Sequence, residues 1–179
     1  DFNELADDMF RKVKDRLCDE YALFGYSMGS IALVEVLKRI IKFGLQQPSN
    51  IFLAAHEPHT KSELLGYTSD ELDEWVKQRT IQFGAVPEKL INNRPFWRLY
   101  LPLYRADYTI IGKYDFEKLD IKSRISATIF YSETDTPLSG MKMWTRYFPC
   151  KFYQFQGTHF FIQKYHKEMG RIIKDKMGV

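Results

Sequence analysis

Three short stretches carry residue types and spacings that can do chemistry. Gly25-Tyr26-Ser27-Met28-Gly29 is a GxSxG sequence. In that arrangement a strand turns sharply into a helix and leaves one serine at the apex. The backbone there is strained, and flanking glycines remove Cβ atoms that would clash. Ser27 is then a nucleophile facing solvent. The backbone N–H of Met28, at the start of the helix, can point at the oxyanion that develops on an attacked carbonyl. A serine needs a base to take its proton, and the base needs an acid to hold its tautomer. Where a GxSxG serine leads, acid and base follow in the order Ser, Asp or Glu, His. Ser132-Glu133-Thr134-Asp135-Thr136-Pro137 offers Asp135 as the acid and Glu133 as a second candidate. An aspartate before a proline is also an ordinary turn former. Gln156-Gly157-Thr158-His159-Phe160-Phe161 supplies His159 as the base.

A bare GxSxG arises by chance in about one chain in twenty of this length, so the weight falls on the elements around it. Tyr21 to Phe24 is a short apolar run ending at Gly25, a buried strand. Ser30 to Phe43, with Ile31, Val34, Leu37, Ile40 and Ile41 inward, is a helix closed by Gly44. Ile51 to Ala55 and Ile125 to Tyr131 are two more strands. The second leads straight into the segment that carries Asp135. Phe152 to Phe155 is a strand that leads into the segment that carries His159. The first segment, with Phe2, Leu5, Met9, Val13 and Leu17, is an amphipathic helix. A last helix runs from about Gln163 to Lys176 and leaves His166 exposed. Met141 to Tyr147 is also read as helical. Alternating helix and strand predict a parallel sheet covered on both faces.

From His56 to Tyr114 the pattern changes to short helices and loops without a strand. Thr68 and Glu71 form a capping box for a helix through Leu72, Trp75, Val76 and Arg79. Pro87 opens a further turn, and Pro95 and Pro102 break up the stretch beyond it. The expected organisation is one domain over 1–179, with 1–55 and 115–179 as core and 56–114 as a helical lid insertion.

Composition narrows the function classes. Apolar residues at 45% and charged residues at 27% are an ordinary globular balance. A net charge of +3 is too small for a nucleic-acid surface. No apolar run approaches the roughly 20 residues of a membrane span, and the start lacks a signal peptide's basic and apolar regions. Cys18 and Cys150 stand far apart without a CxxC, as reduced thiols of a cytoplasmic protein do. His56-Glu57-Pro58-His59 superficially resembles a ligand cluster, but Pro58 spoils the helical two-His geometry and no third ligand is evident. No metal, cofactor or Gly-rich phosphate loop is expected. The 14 Phe and 11 Tyr fit either an aromatic core or a wide apolar pocket.

These residues resemble the type II, stand-alone editing thioesterases of non-ribosomal peptide and polyketide synthesis, within the α/β-hydrolase superfamily. Phe24 to Ser30 is similar to that family's FGHSMGG, with Tyr26 in place of His and Ser30 in place of Gly. Pro58-His59 fits the segment after the next strand. Thr68 to Trp75 and Gly84 to Pro87 look like its lid region. Leu103 to Tyr108 is close to its LRAD-type motif, and Phe148-Pro149-Cys150 and Gly157 to Ile162 match its late blocks, with Thr158 where Gly is usual.

The resemblance implies hydrolysis of acyl groups from the phosphopantetheine arm of an acyl or peptidyl carrier domain. That carrier is the partner, and the enzyme is a monomer without cofactor. Asp107, in the LRAD-like segment, is a rival acid whose place in the lid favours a capping or ion-pair role. Family members carry further strands before the helix that begins this chain, and one following loop supplies the second oxyanion N–H. An N-terminally incomplete piece is therefore expected. A generic carboxylesterase or lipase on the same fold, and a non-catalytic remnant that binds carriers, stay open at this point.

Overall fold

The computed structural model describes residues 1–59, 66–121 and 123–179. Residues 60–65 of the expected lid lie outside the described residues. Four parallel strands form one sheet in the order β1 (Ala22–Tyr26), β2 (Asn50–Ala54), β3 (Ser126–Tyr131) and β4 (Cys150–Gln154). The register sets Gly25 beside Leu53 and Leu53 beside Ile129. Among the described residues six α-helices accompany the sheet: α1 (Phe2–Val13), α2 (Met28–Lys42), α3 (Ser69–Gln82), α4 (Arg94–Lys113), α5 (Leu138–Met141) and α6 (Phe161–Met177).

Strand periodicity explains how two cores form. Ile51 and Leu53 of β2, with Ala127, Ile129 and Tyr131 of β3, point to one face. There they pack with Ile31, Val34 and Leu37 of α2, and with Trp144 and Phe148. Phe52, Ala54 and Phe130 alternate to the other face and meet Phe161 and Met169 of α6. Burial on both faces is why β2 is apolar from Ile51 to Ala54 and β3 from Ile129 to Tyr131, without polar residues alternating. On α1, Phe2, Ala6 and Phe10 recur every four residues and are its buried positions.

The helices of the 56–114 stretch differ from expectation in one respect. Pro95 and Pro102 do not break the segment, which is a single helix of 20 residues. Pro95 falls in the first turn, where its missing N–H has no intrahelical partner to lose. Asn93 caps that turn by accepting from Phe96 N at 2.8 Å. Pro102 forfeits one hydrogen bond to Arg98, in a stretch where Leu99 and Leu103 are exposed and water can reach the freed carbonyl. The Thr68–Glu71 capping box does open α3. Arg105 of α4 clasps α3 through Asp73 at 3.1 Å and Ser69 at 2.7 Å. Tyr114, just past α4, donates to Glu35 Oε1 of α2 at 2.7 Å and so ties the end of α4 to α2.

Glu35 is a buried carboxylate, 3% exposed. Burial pushes its pKa up, but hydrogen bonds from Lys38, Tyr114 and Arg39 outweigh that and hold it below the usual glutamate range. A depressed folded pKa contributes stability that is present above the unfolded value, about 4.3, and is lost as pH falls through the folded value. Urea denaturation across pH 3–7 should therefore show stability declining on the acid side. Glu35→Gln should flatten that decline. An unchanged acid limb in the variant would mean Glu35 does not carry it.

Candidate active site

In a parallel sheet every strand ends at the same edge, and there the chain gathers its polar residues. β1 ends at Tyr26, and Ser27 follows with φ +53° and ψ −127°, a strained conformation for a residue with a Cβ. The strain is held from both sides. Ser27 N donates to Ala54 O of β2 at 2.8 Å, and Ser27 O accepts from Ser30 N at 2.8 Å. The motif's two glycines differ in need. A Cβ on Gly25 would lie 2.5 Å from Gly29 O, so only glycine fits there. A Cβ on Gly29 would meet nothing within 4 Å, so the expectation that both glycines relieve clashes holds for Gly25 alone. Gly25→Ala should disrupt the elbow and lower the melting temperature by many degrees. Gly29→Ala, inside α2, should leave it equal or slightly raised, because Ala is favoured over Gly in helices by up to about 1 kcal/mol. Equal losses in a thermal melt of the two variants would contradict this geometry.

The loop after β3 makes a tight turn, with Asp135 N and Thr136 N both donating to Ser132 O. It presents Asp135, whose side chain is 2% exposed. Glu133, the other acid candidate, turns away and accepts from Leu138 N at 3.3 Å. The loop after β4 carries His159, which is 6% exposed. His159 Nδ1 lies 2.9 Å from Asp135 Oδ2 and 3.1 Å from Oδ1. Its other nitrogen, Nε2, lies 2.8 Å from Ser27 Oγ. Thus Ser27, His159 and Asp135, read from three distant stretches, form one hydrogen-bonded line. Met28 opens α2, a position where the N–H has no intrahelical acceptor. Asp107 is not among His159's hydrogen-bond partners; it lines the cavity described below.

Several residues that fix His159 were not identified as such in the sequence. The Tyr26 hydroxyl donates to the His159 carbonyl, joining the serine's strand to the base loop. Burial pushes the Tyr26 pKa far above the tyrosine range, so the hydroxyl keeps its proton. Gly157, at φ +114°, turns its carbonyl toward the β3 loop, where Ser132 and Thr134 donate to it. Phe83, at the end of α3, lies flat on the His159 imidazole with centroids 4.2 Å apart and planes 13° apart. The Arg79 guanidinium sits over the Phe83 ring, 4.3 Å from its centroid. Tyr26 stood out as a departure from the FGHSMGG pattern. Phe83 gave no signal beyond its place before Gly84.

These groups open onto a cavity of about 660 Å³, roofed by α3 and α4 through Trp75, Arg79, Tyr104 and Tyr108. That volume suits a small-molecule site. His56 and Glu57 form part of its wall. Burial, with the nearby His59 and His159, pushes the His56 pKa down to about 3, so its ring is neutral. Burial raises the Glu57 and Asp107 carboxyls above their ordinary values.

A sequence model of the thioesterase domain family matches residues 1–177. Among curated proteins, the chain is 30% identical over 172 residues to a medium-chain S-acyl fatty acid synthase thioesterase of Rattus norvegicus. That match covers 92% of this chain and 64% of the rat protein. The chain thus spans just under two thirds of this relative's length. Among solved structures, it resembles the RedJ thioesterase of the prodiginine biosynthetic pathway in Streptomyces coelicolor. The TM-score is 0.81 at 19% identity, over 98% of this chain and 71% of RedJ. YbtT, a type II thioesterase from the yersiniabactin NRPS/PKS biosynthetic pathway, gives a TM-score of 0.81 at 20% identity, over 99% of this chain and 74% of YbtT. At these identities the two structures establish a shared α/β-hydrolase-like fold. No helix among the described residues is long and apolar enough to cross a membrane.

Proposed function

The chain belongs to the thioesterase domain family, and from that premise we propose that it hydrolyses acyl groups from the phosphopantetheine arm of acyl or peptidyl carrier domains. The observation that carries the reading is the line Ser27 Oγ, His159 Nε2, His159 Nδ1, Asp135, with successive gaps of 2.8 and 2.9 Å across the ring. Such a line activates a serine toward an acyl carbonyl.

In the first half-reaction His159 Nε2 takes the hydroxyl proton as Ser27 Oγ bonds to the thioester carbon. The oxyanion faces the Met28 N–H. Collapse breaks the carbon–sulfur bond, and His159 gives its proton to the departing thiol. In the second, His159 takes a proton from water as the oxygen attacks the acyl-serine. The carboxylic acid leaves, and Ser27 recovers its proton from His159. Asp135 accepts from His159 Nδ1 throughout and stabilises the imidazolium.

In this mechanism α3 and α4 act as the lid that admits the pantetheine arm and shapes the acyl pocket. A cytoplasmic location belongs to the same reading, and the free thiols Cys18 and Cys150 fit it. A structural relative whose name includes an NRPS/PKS pathway supports an editing role beside such a synthase. Mass spectrometry of the chain, quenched during turnover of an acyl-pantetheine thioester, tests the route. An acyl increment on the peptide containing Ser27 is expected. Turnover with the increment on another residue, or with none under conditions where release is slow, would overturn the serine route.

A further inference from the structure

The cavity wall beside the nucleophile holds more hydrogen-bonding capacity than the triad uses. Thr136 Oγ1 and His56 Nε2 are buried and have no partner among the described residues, and Thr136 as a whole is only 8% exposed. Lining the same cavity is Glu57, half-buried, whose carboxylate has neither a hydrogen-bond nor an ion-pair partner among the described residues. Its seat is over Gly140. A Cβ on Gly140 would lie 1.5 Å from Glu57 Oε2, so a larger residue at 140 would push the flexible carboxylate aside. The seat is also close to the chemistry. Ser27 N is held by Ala54 O, and Glu57 is three residues beyond, about 10 Å of chain at most.

An unbranched fatty acyl tail laid against this wall would bury the half-exposed Glu57 carboxylate without a partner, at about 1–3 kcal/mol or more for a charged group. A cation there would instead convert Glu57 into a charge-assisted pair. The one guanidinium lining the cavity among the described residues, Arg79, is stacked on Phe83; its charge acts on Glu57, but the two form no ion pair, and Asp107 is the cavity's other carboxylate outside the triad. On the premise of the thioesterase reading, we propose that Glu57 binds a protonated amine on the acyl group, so that aminoacyl thioesters are preferred over unsubstituted acyl thioesters of the same size.

The test uses pantetheine thioesters of L-alanine and propionic acid, which differ only by the amine. Comparing each enzyme's ratio of kcat/KM for the two cancels the thioesters' different intrinsic reactivity when wild type and Glu57→Gln are set side by side. The expected result is a fall of about tenfold or more in the alanyl-to-propionyl ratio in the variant, the loss of one hydrogen bond to a charged group. A ratio preserved within about twofold would overturn the proposal. So would a wild-type enzyme that prefers a succinyl thioester to both, because Arg79 would then be the reader.

Calorimetry with the non-hydrolysable alanyl and propionyl amides of aminopantetheine, on the Ser27→Ala background, keeps the question separate from turnover. Tighter binding of the alanyl amide that disappears with Glu57→Gln supports the amine site even if neither thioester is cleaved, an outcome that would count against the thioesterase reading alone. Equal binding of the two amides would overturn the amine site.

Discussion

Ser27→Ala should lower kcat for thioester hydrolysis by about 10⁶, the scale seen when a triad nucleophile is removed. The reason is local. The serine oxygen forms the bond that the mechanism depends on, and His159 Nε2 has Ser27 Oγ as its hydrogen-bond partner, at 2.8 Å. The variant should fold normally. The elbow's backbone is held by Ser27 N to Ala54 O and by Ser30 N to Ser27 O, and neither bond uses the side chain. Any residual rate over water would report what the cavity and the Met28 N–H supply without a nucleophile. The check is steady-state hydrolysis of an acyl-pantetheine thioester, with a thermal melt on the same preparation. A loss below about 100-fold in a folded variant would mean that another group attacks the carbonyl.

Asp135→Asn should cost about 10⁴ in kcat while leaving the geometry nearly unchanged. In the wild type the carboxylate can only accept, so His159 Nδ1 must carry the proton and Nε2 is left free to accept from Ser27. An asparagine amide can donate to Nδ1 instead. That choice puts the ring proton on Nε2 and aims a donor at the serine. The carboxylate is 2% exposed, so water cannot easily substitute for it. Glu133, two residues away, is engaged with Leu138 N and is not placed to replace it. The companion variant Glu133→Gln should therefore change kcat less than about threefold. A larger loss in Glu133→Gln than in Asp135→Asn would reassign the acid.

How much of the site was legible in the sequence depends on where each residue sits. Ser27, Asp135 and His159 each follow within four residues a short run read as a strand; only β3 is buried, whereas β1 and β4 are the outer strands and Phe24 of β1, expected in a buried strand, is 44% exposed. Once the sheet is parallel, its strands end at one edge, so residues 132 and 24 positions apart in the chain become neighbours. Local pattern and global topology agreed there. They disagreed at α4, where two prolines are strong local signals for interruption. Their cost is confined to one first-turn position and one solvent-facing carbonyl, and packing of the helix against α3 through Arg105 and Tyr108 outweighs it.

The Phe83–His159 stack and the Tyr26–His159 hydrogen bond were beyond sequence reasoning for a different reason. Nothing within a few residues of Phe83 determines that the end of α3 comes to rest on the imidazole; the packing of the α3–α4 pair over the sheet edge does. Tyr26 could be marked as unusual from its motif, but the acceptor of its hydroxyl is 133 residues away. Gly29 errs in the opposite sense. The motif invites a steric role for both glycines, while the turn crowds only Gly25.

The most direct test of carrier-directed thioester hydrolysis is to load a carrier domain with an acyl-phosphopantetheine and follow release of the acid, with the same acyl group as a simple oxygen ester run alongside. Rapid release from the carrier that disappears in Ser27→Ala is predicted, with the oxygen ester much slower. Equal or faster hydrolysis of the oxygen ester would contradict that reading and describe a general esterase, and binding of the loaded carrier without any release would contradict catalysis itself.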